Sequence, residues 1–285
     1  VSVALLSRLS SVASHYDAVL CDVWGVIHNG RSAFVTACEA LQRFRSERGP
    51  VILVTNAPVP KERVTRLFPQ FGVPMDCFDD VVSSGDATRN ELKRWGPGPV
   101  YHIGLEQDFG VYAGLRLEFS DDPEVAKVIC CTSLRDYPNG TPEPYREELR
   151  RLVAYGLPML CANPDVQFRQ GDSLIWSAGA LAAIYEQEGG KVIRPGKPDA
   201  PIYRLAMEKA EAILGRGIRS ERVLAIGDGP STDVLGANRQ GFDALFIGGG
   251  IHGHAMDAGD AFLASAQRVL DADGVTAKWA MPELG

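Results

Sequence analysis

What this 285-residue chain lacks narrows its class before any motif is read. A membrane-spanning helix needs about 20 consecutive apolar residues, and the longest apolar runs here, such as Pro50 to Val54 and Val223 to Ile226, are of strand length. No membrane partner is expected. There is no excess of basic charge, since Lys+Arg 29 against Asp+Glu 36 leaves a formal −7. Without a basic stripe to neutralise a phosphate backbone, a nucleic-acid partner is not expected either. The six cysteines, at 21, 38, 77, 130, 131 and 161, form no CxxC pair, and Cys21, Cys130, Cys131 and Cys161 lie in or beside apolar strand-like runs. That pattern excludes a zinc knuckle and suits reduced core thiols in a cytoplasmic protein. Val1 to Ser14 holds one arginine and an apolar run broken by serines, unlike a secretory leader. Internal repeats, low-complexity tracts and long charge runs are missing as well.

What is present is the composition of an ordinary globular protein, 45% hydrophobic and 23% charged, far from the region where chains stay disordered. At about 150 residues per domain the length suggests roughly two domains. Short β-branched runs alternate with amphipathic stretches, the pattern of a parallel sheet covered by crossover helices, so the fold class is α/β. Strands are predicted at Asp17 to Asp22, Pro50 to Thr55 and Asp80 to Ser83, with helices at Ala33 to Arg48, Lys61 to Gln70 and from Gly85 to about Trp95. The breaker cluster Gly96-Pro97-Gly98-Pro99 then changes the texture. Strands follow at Val100 to Ile103, Lys127 to Thr132 and Leu157 to Cys161, a helix at Pro144 to Tyr155, a polar hairpin at Gln167 to Trp176 and a helix at Ser177 to Glu188. From Val223 the first texture returns. The partition is a core made from both ends of the chain, residues 1–86 and 191–285, with an inserted domain over 87–190.

In an open parallel sheet, ligands bind outside the carboxyl ends of the strands, so polar residues that close apolar strands are the candidates. Asp22 ends a strand in CDVWGV, Thr55 and Asn56 end another in ILVTNA, Lys197 lies in RPGKPD ahead of a helix, and Asp228 and Asp233 lie in AIGDGPSTDV. Each alone reads as a turn, cap or loop residue. Together they are chemically complementary. Three carboxylates at one sheet edge repel unless a cation sits among them, and oxygen ligands suit Mg²⁺. A cation and Lys197 would neutralise a phosphate, groups at 55 and 56 would hydrogen-bond its oxygens, and Asp22 would then be free to attack phosphorus.

These residues, in this order, resemble motifs I to IV of the haloacid dehalogenase-like hydrolase superfamily. The long insertion between Thr55 and Lys197, with DxxGV, VTNA, SSGDAT, ANPD, GKP and GDGPSTD, is similar to class IIA, a subfamily of nucleotide, pyridoxal and sugar phosphatases. The resemblance runs from about Tyr16 to Gly249. It implies a Rossmann-like parallel-sheet core with an inserted α/β cap domain of the class IIA kind. It further implies a Mg²⁺-dependent phosphohydrolase of small phosphorylated metabolites that works through an aspartyl-phosphate on Asp22. Catalytic roles would fall to Asp22, Lys197 and Thr55, and the metal would be held by Asp22, the main-chain carbonyl of Trp24, Asp228 and Asp233. Substrate contacts would come from Thr55, Asn56, Gly25, His28, Asn163, Asp165 and Lys197. A homodimer formed through the cap is expected on the same ground.

One position departs from the pattern. Phosphatases of this family usually carry a second Asp two residues after the nucleophile, as the proton donor to the leaving group, and here that residue is Trp24. An indole N–H donates a hydrogen bond but shuttles no proton near neutral pH. His28 in WGVIHNG titrates near neutrality and either substitutes for it or packs in a loop. A phosphometabolite-binding protein without efficient turnover, or a phosphoryl-transfer or phosphonate enzyme, stays open as an alternative. Arg135, Asp136 and Tyr137 are candidate substrate contacts or plain loop. His252 and His254 spell HxH in a glycine-rich stretch without a third ligand, which argues for a surface loop rather than a metal site.

Overall fold

The computed structural model describes residues 2–170, 173–250, 256–257 and 259–285. His252 and His254 lie outside them. In chain order the strands are β1 (Ala4–Leu5), β2 (Ala18–Cys21), β3 (Val51–Thr55), β4 (Asp80–Ser83), β5 (Val100–Ile103), β6 (Val128–Cys131), β7 (Met159–Cys161), β8 (Gln167–Gln170), β9 (Ser173–Trp176), β10 (Val192–Ile193), β11 (Val223–Gly227), β12 (Asp243–Ile247) and β13 (Trp279–Met281). The chain divides into two compact units. The first holds the residues up to Thr55, Thr65–Val82 and Pro198–Gly285, and the second holds Asn56–Val64 and Ser83–Lys197. The second unit thus takes in a short early segment and a long late one, against the single insertion over 87–190 read from the sequence.

In the first unit seven strands form one sheet in the order β1-β13-β12-β11-β2-β3-β4. The pairs from β1 through to β3 run parallel. β2, β3 and β11 are buried along their whole lengths, which is why they read as unbroken apolar runs rather than alternating ones. Helices cover them with residues at i, i+3, i+4 spacing. Val35–Glu47 buries Ala37, Cys38, Leu41 and Phe44, and Ala200–Leu214 buries Ile202, Tyr203, Ala206 and Ala210. Chain order runs outward from β2 to β3 and β4 on one side and from β11 to β12 on the other. The β2/β11 boundary is therefore a topological switch point, where the loops at the carboxyl edge part and leave a crevice.

The second unit has its own parallel sheet, β10-β7-β6-β5, and a separate antiparallel ribbon, β8-β9. Helix Arg146–Ala154 buries Leu149 and Leu152 in a core with Ile103, Ile129, Met159 and Leu181. Two edge strands, β1 and β10, escape sequence reading because each is two residues long, too short to show a period. The helix predicted over Lys61 to Gln70 is two pieces, Lys61–Thr65 and Phe68–Phe71. Pro69 has no N–H for a continuous helix, and its ring would strike the carbonyl of Thr65. All six cysteines are buried without a disulfide, and among the described residues no helix is long and apolar enough to cross a membrane.

Helix Ser84–Leu92 starts with a complete capping box: Ser83 Oγ accepts the Asp86 N–H at 3.0 Å and the Asp86 carboxylate accepts the Ser83 N–H at 3.1 Å. Ser83 also bonds the Val59 carbonyl at 2.6 Å. Ser83→Ala removes the cap and leaves buried groups unmade, and is expected to cost about 1–2 kcal/mol of unfolding free energy. Urea denaturation of the variant beside the parent protein measures it.

Candidate active site

The acids at the switch point are placed by the strands that precede them. Asp22 follows β2 and its N–H donates to Ile226 O of β11 at 2.8 Å, which pins the carboxyl edges of the two central strands together. Asp228 follows β11, and the wide turn Pro230–Val234 brings Asp233 back. One oxygen from each of Asp22, Asp228 and Asp233 lies within 4.8 Å of the others, and all three residues are buried. Three such charges cannot be ignored. At an effective dielectric of about 20, unit charges at this separation repel by roughly 3.5 kcal/mol per pair. Summed over three pairs this approaches the whole stability of a typical domain, about 5–15 kcal/mol. A divalent cation removes the conflict, and a donor set made only of oxygen suits a hard ion. The residues present therefore fit a metal.

Glycine makes the crowding possible. A Cβ on Gly25, which has φ +83°, would overlap Asp228 Oδ2, and one on Gly250 would overlap the same carboxylate. Gly227 stands in the same relation to Asp233. Asp233 Oδ2 accepts the Gly229 N–H at 3.1 Å and the Thr232 hydroxyl at 3.3 Å. Thr55 is buried at the end of β3, the strand beside β2, and so shares the acids' sheet edge.

The second unit gathers a different set. Asn56 Nδ2 donates to Asp165 Oδ1 at 2.8 Å and to Lys197 O at 3.3 Å, while Asn56 Oδ1 accepts the Lys197 N–H at 2.8 Å. Asn163 Oδ1 accepts the Asp165 N–H at 3.1 Å, so ANPD closes as an Asx turn. Both Nδ2 hydrogens of Asn56 are thus committed inside the protein. Arg135 and Asp136 are likewise engaged within the unit. Arg135 grips Glu148 bidentately at 2.7 and 2.8 Å, and Asp136 accepts the Tyr145 hydroxyl at 2.8 Å.

Family models place the chain. Residues 19–115 match the model for haloacid dehalogenase-like hydrolases, and residues 194–272 match a second, HAD-hydrolase-like model. A solved hydrolase of the haloacid dehalogenase-like family from Brucella suis is 41% identical, with a TM-score of 0.87, over 99% of this chain and 100% of that one. The chain belongs to the haloacid dehalogenase-like hydrolase family. Ribonucleotide monophosphatase NagD of Escherichia coli is 26% identical over 241 residues, 82% of this chain and 88% of its own. A possible sugar phosphatase of the HAD superfamily from Cytophaga hutchinsonii, at 17% identity and a TM-score of 0.79 over 99% and 98% of the chains, shares the fold.

Against this family background Trp24 stands out. Its indole lies over Gly30, where a Cβ would strike the benzo ring, and meets the His28 ring edge to face at 5.2 Å. His28 is buried between Trp24, Phe68 and Phe71. Its Nδ1 accepts the Gly30 N–H at 3.0 Å, and burial pushes its pKa down to about 4. His28 thus packs within the Trp24–Gly30 turn, where burial favours the neutral imidazole. Sequence reading missed the roles of Gly227 and Gly250; Gly227 closes β11 directly before Asp228, a readable signal, whereas Gly250 lies three residues past the end of β12 and carries none.

If Gly25 exists to let Asp228 approach, Gly25→Ala will displace that carboxylate. A folded variant is expected to bind a divalent cation about 10–100-fold more weakly, as read by titration calorimetry on the whole chain.

Proposed function

We propose that this hydrolase is a Mg²⁺-dependent phosphatase of class IIA, acting on a small phosphorylated metabolite such as a sugar phosphate or nucleotide. The observation that carries the reading is the buried three-carboxylate cluster at the switch point. The relatives named above, a ribonucleotide monophosphatase and a possible sugar phosphatase, support the substrate class. Asp22, Asp228, Asp233 and the Trp24 carbonyl would hold the ion. When bound, it would offset the repulsion between a carboxylate nucleophile and an anionic ester.

In this reading an Asp22 oxygen forms a bond to phosphorus as the ester oxygen leaves, giving an aspartyl-phosphate. Water then attacks phosphorus, the Asp22–phosphorus bond breaks, and inorganic phosphate departs. Thr55 hydrogen-bonds a phosphoryl oxygen and Lys197 balances the charge of nucleophile and phosphate. Gly25, Asn163 and Asp165 serve the substrate, the last two from the inserted unit, which acts as the cap. The proton for the leaving group comes from solvent, because Trp24 has none to give. Esters with weakly basic leaving groups, acyl and aryl phosphates, are therefore the favoured substrates. The same residue favours a second reading, a phosphometabolite-binding protein with little turnover.

Steady release of phosphate with Mg²⁺ across a panel of acyl, aryl and alkyl phosphates separates the two, since a binding protein shows saturation without release. Asp22→Asn is expected to abolish turnover while the fold persists; parent-like rates in that variant defeat the mechanism. Trp24→Asp restores the usual acid and is expected to raise rates on alkyl phosphates by about 10²–10⁴-fold. Unchanged rates in a folded variant assign Trp24 to other chemistry.

A further inference from the structure

We propose that Asn56 is a positioning residue for Lys197, with Asp165 acting through Asn56. What Lys197 does for substrate rests on the phosphatase reading above, whereas the network itself rests on contacts within the second unit. The Asn56 amide pairs with both main-chain groups of Lys197, accepting its N–H at 2.8 Å and donating to its C=O at 3.3 Å. Two bonds to one residue fix its orientation as well as its place. The remaining Nδ2 hydrogen goes to Asp165 Oδ1 at 2.8 Å, a charge-assisted bond. That third bond also sets the sense of the amide. Turned over, it would set Oδ1 against the carboxylate and NH₂ against the Lys197 N–H.

The surroundings are built for this contact. Asn56 and Lys197 are each 3% exposed, so bulk water does not compete for the bonds of this amide. The Gly196 Cα faces the same group. A Cβ there would come within 2.5 Å of Ser84 Oγ, 2.6 Å of Asn56 Oδ1 and 2.9 Å of Pro164 Cδ. Segments 56, 84, 164–165 and 196–197 thus converge on the amide. Gly179 lies so close under the 164–165 main chain that a Cβ there would overlap the Pro164 and Asp165 carbonyls, so Asp165 is itself held from below. A lysine has a long flexible stem, and anchoring its main chain removes one source of slack in where the ammonium can reach. The G-K-P and V-T-N-A segments, 141 residues apart, are joined by this one side chain.

The test is hydrogen exchange at the Lys197 amide together with a mutant cycle, on the full chain. Asn56→Ala is expected to speed exchange of that amide about tenfold or more, as a lost buried bond of ~1.4 kcal/mol implies. Asp165→Ala should have a smaller effect, and Asp165→Asn, which keeps an acceptor oxygen, a smaller one still. Ser84→Ala, beside the same glycine but outside the network, serves as the control with unchanged exchange. With p-nitrophenyl phosphate and Mg²⁺, Asn56→Ala is expected to lose about 10–100-fold in kcat/KM, the scale of a misplacement of about 1 Å. The double variant with Lys197→Ala should be no slower than Lys197→Ala alone. Unaltered Lys197 exchange in folded Asn56→Ala, or losses that multiply in the double variant, overturns the proposal. Should Asn56→Ala not fold, the order of Asp165→Ala and Asp165→Asn decides it. If the parent chain turns over no phosphate ester, the phosphatase reading fails and the exchange series alone judges the network.

Discussion

Mutual repulsion among Asp22, Asp228 and Asp233 is the constraint around which the first unit is organised. Left bare, three buried carboxylates this close together would absorb a large part of a domain's stability. The fold nevertheless uses its tightest backbone to bring them together. Gly25, Gly227 and Gly250 all stand where a methyl group would strike one of these acids, and β2 and β11 are locked edge to edge by the Asp22 N–H bond to Ile226. A chain gathers like charges at such cost only where something positive completes the set, and the donors here are the kind a hard divalent ion takes. The family membership and the geometry arrive at the same place by separate routes.

Trp24, beside the acids, is held by packing rather than left open. Its side chain is absorbed into a turn closed by Gly30 and His28. His28 shows how packing changes what a titratable side chain can do. Desolvation among aromatic rings lowers its pKa and favours the neutral imidazole. In the phosphatase reading proposed above, the cost of lacking a second acid would fall most heavily on basic leaving groups.

The inserted unit carries its own logic. Its sheet, β5 to β7 with β10, is parallel like that of the first unit, and its core is closed by helix Arg146–Ala154 and the almost wholly buried helix Ala178–Gln187. The residues singled out in it, Asn56, Asn163, Asp165 and Lys197, come from segments far apart in sequence and are tied by hydrogen bonds rather than by packing. Polar networks of this kind specify one arrangement when every member is satisfied, and Asn56 has each of its amide hydrogens placed.

Much of this was legible without coordinates. The central strands β2, β3 and β11 announced themselves because burial on both faces demands unbroken apolar runs, and the acids were found because an ionisable residue that closes such a run is conspicuous. The α/β class and the three acids followed from local chemistry and order along the chain. Other features were decided only in three dimensions. The two-residue edge strands have no period to read, and the break at Pro69 divided a stretch whose polarity pattern was continuous. Whether His28 faced solvent or aromatic rings, and whether the Asn56 amide was open to a ligand or committed to Lys197 and Asp165, depended on partners dozens to more than a hundred residues away. Sequence determines what each side chain can do; which neighbours use up that capacity is settled when distant segments meet.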